Sequence, residues 1–249
     1  LSCQTPLTGL RLMESTGLLN LFIPELMECR GIGQGSYHHF DVLDHSFLVC
    51  NACPAGMEHI HIRLAGLFHD IGKPAARKEA VDGSCTFYRH EAISEKMTRS
   101  IMRRLKYSNA EIEKTAHLVA EHMFHYDPSW TDAAVRRFIV RVGKENIDDL
   151  FALRKADVFG LTGTYAEPNF LVEFTARIDT LLKEDGAYSL KDLAVNGKDL
   201  MAIGIPAGKC LGLVLHDLLE TVLDDPAQNT KEALLPIAAA LYERIQRFQ

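Results

Sequence analysis

Several ionisable residues stand where helical periodicity asks for apolar ones. His45 shares a helix face with Val42, Leu48 and Val49, and Asp157 shares one with Leu150 and Leu153. His122 follows Leu118 and Val119 on another apolar face. In Leu67-Phe-His-Asp-Ile-Gly-Lys-Pro74 an apolar helix ends in the adjacent His69 and Asp70, with Gly72 letting the backbone turn and Lys73 just beyond. A buried lone carboxylate costs several kcal/mol unless a cation or hydrogen bonds compensate it. The fold must therefore pair these groups or gather them around a shared cation. Successive helical residues point about 100° apart, so a metal lying between His69 and Asp70 can take one ligand from each. Imidazole with carboxylate suits a divalent ion such as Mn, Ni, Fe, Co, Zn or Mg better than Ca.

The rest of the pattern is helical nearly throughout. Periodicity predicts short helices over 5–15 and 17–29, broken at Gly17 and Pro24, then helices over 41–53 and 58–70. Gly31 to Ser36 is a loop by composition, and 73–88, with its Asp82-Gly83 turn signal, holds short strands or an exposed loop. Helices follow over 90–106, from the Ser108/Glu111 capping box to about Met123, after Thr131, over 145–160 and over 169–184. A short helix near 198–202 precedes the last two, over 208–223 and 229–247. The expected class is all-α: a lead-in over 1–35, a metal-binding helical domain over 36–160, and a smaller helical tail over 161–249.

Composition narrows the class of function. A formal net charge of −6 over 249 residues argues against a protein that coats nucleic acid. The basic clusters Arg99, Arg103, Arg104 and Lys106, and Arg136, Arg137, Arg141 and Lys144, read as solvated helix faces. No apolar run reaches the roughly 18 residues of a membrane span, and no secretory signal opens the chain. Six dispersed cysteines fit reduced thiols in the cytoplasm, and the Cys50-x-x-Cys53 pair lacks the partners of a zinc site. A first residue of Leu rather than Met suggests a piece of a longer protein.

His45, then His69-Asp70 before Ile-Gly-Lys, then Asp157 in Lys-Ala-Asp, resembles the H…HD…D pattern of HD-domain phosphohydrolases. The resemblance implies an HD-domain helical bundle in which His45, His69, Asp70 and Asp157 bind the metal. Members with two metals add histidines in the interval where His90, His117, His122 and His125 fall, and His90 and His122 are the candidates for a second ion or a phosphate contact.

A second resemblance covers nearly the whole chain. Gly17-Leu-Leu, Pro24-Glu-Leu, His39-Phe-Asp-Val42 and Phe87-Tyr-Arg-His-Glu91 are similar to bacterial CCA-adding tRNA nucleotidyltransferases after their catalytic head. So are Asn196-Gly-Lys-Asp-Leu-Met201, Leu218-Leu-Glu-Thr-Val222 and Asn229-Thr-Lys-Glu232. In that family the later helices are body and tail segments that hold tRNA. The head's Asp-x-Asp is absent from these 249 residues, so nucleotidyl transfer is not expected of this chain alone.

The leading expectation is thus a metal-dependent phosphohydrolase acting on a phosphorylated nucleotide or RNA end, with Asp70 as base and Lys73 neutralising the phosphate. The alternative is a non-catalytic tRNA-binding body and tail with a vestigial metal site. A third reading is a small-molecule nucleotidase on the same scaffold. Neither oligomeric state nor metal identity follows from the sequence, and no membrane partner is implied.

Overall fold

Caps and breakers set the helix boundaries. The computed structural model describes residues 1–34, 39–79, 85–165, 168–183 and 188–247. Three short helices, α1 (Pro6–Ser15), α2 (Leu18–Phe22) and α3 (Pro24–Met27), are separated at Gly17, with φ of +74°, and Pro24, as the sequence indicates. Helix α4 (Val42–Ala52) begins at Asp41, whose carboxylate accepts the Asp44 N–H at 2.8 Å. Helix α5 (Ile60–Phe68) is buried from His61 to Phe68 and forms the centre of its layer. After α6 (Lys73–Ala76), β1 (Lys78–Glu79) pairs antiparallel with β2 (Cys85–Thr86), while the Asp82-Gly83 signal lies outside the described residues. The loop expected over Gly31–Ser36 is partly outside them as well.

Helix α7 (His90–Arg104) packs on α8 (Asn109–Glu121), which opens on the capping box of Ser108 and Glu111. Thr131 caps α9 (Asp132–Val142), and α10 (Ile147–Thr162), α11 (Asn169–Lys183), α12 (Gly197–Ala202), α13 (Lys209–Asp224) and α14 (Lys231–Arg247) follow. The class is all-α, and no helix among the described residues is long and apolar enough to cross a membrane.

The chain forms two compact units: 1–125 with 145–171, and 126–144 with 172–249. In the first, α4, α5, α8 and α10 enclose a core that includes Phe47, Ile62, Phe68, Leu118 and Leu150. In the second, Leu200, Val214, Leu218 and Leu234 bring α12, α13 and α14 together, and Tyr126 stacks on Phe174 at 4.1 Å. Its Arg136 departs from the expected solvated face. It is buried and donates to the Leu223 carbonyl at 3.3 Å. Arg137 pairs instead with Glu220 and Asp224, and in the first unit Arg99 and Arg104 pair with glutamates.

Cys29, Cys50 and Cys53 are buried free thiols. Burial pushes Cys50 up to about 12, which leaves it inert.

A polar link ties α5, α8 and α10. The Asp149 carboxylate lies 2.7 Å from His61 Nε2 and accepts from Lys114 Nζ at 2.8 Å. Burial opposes its charge, yet these partners hold Asp149 below its ordinary pKa. A depressed folded-state pKa adds stability above the unfolded value of about 3.9, and that stability is lost as pH falls through the folded value. Asp149→Asn should be less stable at neutral pH, and the gap should close as melts are taken down to about pH 2. A gap that stays constant with pH would remove Asp149 from the acid response.

Candidate metal centre

The inward polar residues converge in the first unit. Helix α4 presents His45, the end of α5 presents His69 and Asp70, the first turn of α7 presents His90, the end of α8 presents His122, and α10 presents Asp157. His45 Nε2 lies 3.1 Å from His69 Nε2, 3.5 Å from Asp70 Oδ2 and 3.2 Å from Asp157 Oδ1. His69 Nε2 lies 3.3 Å from Asp70 Oδ2 and 3.6 Å from Asp157 Oδ1. On the other side of the same carboxylate, Asp70 Oδ1 is 3.0 Å from His90 Nε2 and 3.7 Å from His122 Nε2, which are 3.2 Å apart. Two groups that could hold an ion therefore share Asp70, one through each oxygen. His117 and His125 are not among these donors.

Local backbone geometry decides which imidazole nitrogen faces inward. His69, His90 and His122 each set Nδ1 within 2.7–2.9 Å of the carbonyl three residues earlier, of Gly66, Phe87 and Val119. A carbonyl only accepts, so Nδ1 carries a hydrogen and Nε2 is the nitrogen left to face the centre, where it offers a lone pair in the neutral ring. His90 and His122 thus aim two lone pairs at each other across 3.2 Å. That contact is repulsive unless a proton or a cation lies between them. The separations of 3.0–3.7 Å within each group suit neighbouring ligands of an ion bonded at about 2.0–2.2 Å. Donor chemistry and spacing therefore fit a divalent ion.

The electrostatics point the same way. Burial disfavours charge on His69, yet Asp70 and Asp157 push its pKa up to about 10. Burial also opposes charge on Asp70, while His69 and Lys73 hold it well below the usual carboxylate range. His122, buried and beside His69 and His90, is pushed down to about 3 and stays neutral. The carboxylates draw positive charge in, and the neutral imidazole is ready to ligate.

A cavity of about 710 Å³ opens above the donors. Its wall includes Lys73, Arg89 and Arg154, with Phe87, Tyr88 and Met123 on the apolar side. Lys73 Nζ donates to Asp70 Oδ2 at 2.6 Å and to Gln34 Oε1 at 2.5 Å, and Arg154 Nη1 donates to Asp157 Oδ2 at 3.0 Å. Gln34, Arg89 and Arg154 line the site too, and none of them breaks an apolar helix face in the sequence. Arg154 had a signal, since it sits one helical turn before Asp157 on α10.

Three glycines of the first unit are set by close packing rather than by backbone turns. Gly72 has an ordinary helical φ of −83°, so no special turn is needed there. Its small size is what matters, because a Cβ would lie 2.7 Å from His90 O and Ser94 N. The space at Gly66 is filled by Val49, Cys50 and Cys53, with Cys53 Sγ 3.0 Å from where a Cβ would lie. At Gly160 a Cβ would meet Val49 Cγ2 at 2.5 Å and the His45 ring at 2.9 Å.

A family model described as tRNA nucleotidyltransferase domain 2, putative, matches residues 85–238. An A-adding tRNA nucleotidyltransferase of Deinococcus radiodurans is 31% identical over 227 residues, covering 85% of this chain and 49% of that protein. A CC-adding tRNA nucleotidyltransferase of Thermus thermophilus is 30% identical over 231 residues, covering 90% of this chain and 51% of that protein. A multifunctional CCA protein of an Azoarcus species is 30% identical over 103 residues, covering 41% of this chain and 24% of that protein. The chain spans about half the length of the first two relatives.

These matches correct the expectation of a metal-dependent phosphohydrolase. The Deinococcus and Thermus relatives and the matching family model are all named for tRNA nucleotidyl transfer, not for hydrolysis. The physical reason for the misreading is plain. A histidine–aspartate donor set specifies a cation, and the same cation serves structural, binding and catalytic roles alike.

Proposed function

The chain belongs to the tRNA nucleotidyltransferase family, and we propose on that premise that it is an RNA-holding portion of such an enzyme, organised around a divalent metal centre. The observation that carries this reading is the family match over 85–238, which runs from β2 into α14. The ligands are His45, His69, Asp70 and Asp157 at the first position, in the H…HD…D arrangement. His90 and His122, with the second oxygen of Asp70, form the second position.

When bound, such an ion would supply concentrated positive charge to the Asp70 and Asp157 carboxylates and polarise an oxygen ligand. The protein's own residues do the rest. Backbone carbonyls orient three imidazoles, Asp70 joins the two positions, and the close approach at Gly72 brings His90 beside Asp70. The ligands come from α4, α5, α7, α8 and α10, so the centre ties five helices of the first unit together. The partner is tRNA. Its phosphates meet the wall of the cavity at Arg89, since Lys73 and Arg154 are each paired with a carboxylate of the centre.

Gel-shift titration of the purified chain with tRNA tests the reading. Binding should weaken with salt on a log–log slope of about −2 to −4, a handful of phosphate contacts, because the overall charge of −6 confines contact to local surfaces. An unstructured RNA of equal length should compete at least about 10-fold less well, a difference of roughly 1.4 kcal/mol. Equal competition by that RNA, or no tRNA binding at low salt, would defeat the proposal.

A further inference from the structure

The two carboxylates of the centre each own a cation from the chain itself. Lys73 is 8% exposed and holds Asp70 Oδ2, and Arg154 holds Asp157 Oδ2. The formal charges of these four side chains cancel without any ion. The two cations are nevertheless not placed alike. Asp70 Oδ2 is the oxygen that faces His45 and His69, at 3.5 and 3.3 Å. Lys73 therefore sits on the oxygen that an ion at the first position would use. Arg154 takes the oxygen of Asp157 opposite to the one that faces those histidines, since Oδ1 is the atom near His45 and His69.

We propose that Lys73 and Arg154 are resident counter-cations that keep the centre formed when no ion is bound, and that they act on a bound ion in opposite directions. Lys73 competes with the ion for Asp70 Oδ2 and lowers its affinity. Arg154 is a positioning residue: it pins Asp157 so that Oδ1 stays turned toward His45 and His69. The physics is that of charge and orientation. A buried ammonium beside a divalent ion repels it at short range, where screening is weak. A hydrogen bond to the outer oxygen of a ligating carboxylate fixes that ligand without occupying a coordination position, and loss of such a partner typically weakens metal binding 10–100-fold. One consequence is that metal removal leaves a folded protein, unlike small domains whose folding depends on the ion.

The inference rests on the metal-centre reading, and the test separates the two. Chelator-treated wild type, Lys73→Met, Lys73→Gln, Arg154→Met and Arg154→Lys are titrated with Mn²⁺ by calorimetry, and each is melted with and without Mn²⁺. Wild type should bind Mn²⁺ and keep a cooperative melt after chelation. Lys73→Met should bind Mn²⁺ at least about 10-fold more tightly and show the larger gain in Tm on adding it. Arg154→Met should bind about 10–100-fold more weakly, with recovery in Arg154→Lys. A residue needed only for packing would weaken binding in both variants. Lys73→Gln keeps a polar partner for Gln34 and carries the test if Lys73→Met fails to fold. Weaker or unchanged binding in the Lys73 variants, or unchanged binding in Arg154→Met, overturns this inference while the centre stands. A wild type that binds no divalent ion overturns both.

Discussion

Asp70→Ala should strip the protein of every tightly held divalent ion. Among the described residues Asp70 is the one side chain that belongs to both donor groups, with Oδ2 beside His45 and His69 and Oδ1 beside His90 and His122. Removing it takes a ligand from each position at once, leaving the second position with facing imidazoles and no anion and the first with Asp157 as its one carboxylate. The expected loss of affinity is at least about 100-fold, above the range seen when only an outer partner is removed. Elemental analysis of protein purified without a metal-chelating tag measures it. Wild type should carry one or two ions per chain, His90→Ala and His122→Ala should lose at most one, and Asp70→Ala should carry none. The substitution also leaves Lys73 buried without its carboxylate, a defect that costs about 3–5 kcal/mol in comparable cases. Asp70→Asn keeps an acceptor for Lys73, so metal loss can be read there in a folded protein. An Asp70→Asn variant with the full wild-type metal content would show that the ion lies elsewhere.

Much of this donor cluster is legible in the sequence, because polar residues on apolar helix faces are conspicuous. His45 and Asp157 broke the periodicity of two helices, and His69-Asp70 ended a third. His90 and His122 were named as candidates for a second position, and the fold brings them together with Asp70. Helix limits were equally readable where a cap carried them, as at Ser108 and Thr131. Features that depend on which helix packs on which were not readable. Arg136 looks like its neighbour Arg137, yet only the packing of α9 on α13 buries it against the Leu223 carbonyl. Arg154 looks like an exposed helix arginine until Asp157 is known to turn inward. The reaction was misread for a related reason. Ligand identity follows from side-chain chemistry, whereas the activity of a multi-segment enzyme depends on what the other segments bring.

Gly160 is the sharpest case of a residue whose role no local pattern announces. It lies on α10 one turn after Asp157, on the face that packs against α4. Nothing about a glycine late in a 16-residue helix signals function, and it costs that helix about 1 kcal/mol relative to alanine. Propensity alone therefore predicts that Gly160→Ala stabilises the protein. The packing predicts the opposite. An added Cβ would lie 2.5 Å from Val49 Cγ2 and 2.9 Å from His45 Cε1 and Nδ1, distances that real carbon atoms do not hold. Neither neighbour is a flexible tip: Val49 is β-branched and fully buried, and His45 is 1% exposed. The strain must be relieved by spreading α10 from α4 or by swinging the imidazole, and both separate His45 from Asp157, now 3.2 Å away. Overpacking of this kind costs about 1–3 kcal/mol, which outweighs the propensity gain. The separation of two first-position ligands should lower metal affinity about 10–100-fold while leaving the second position, built from Asp70, His90 and His122, in place. Thermal melts and Mn²⁺ calorimetry on Gly160→Ala measure both effects. A variant that melts higher than wild type with unchanged metal binding would show that α10 and α4 are not held as closely as the geometry requires.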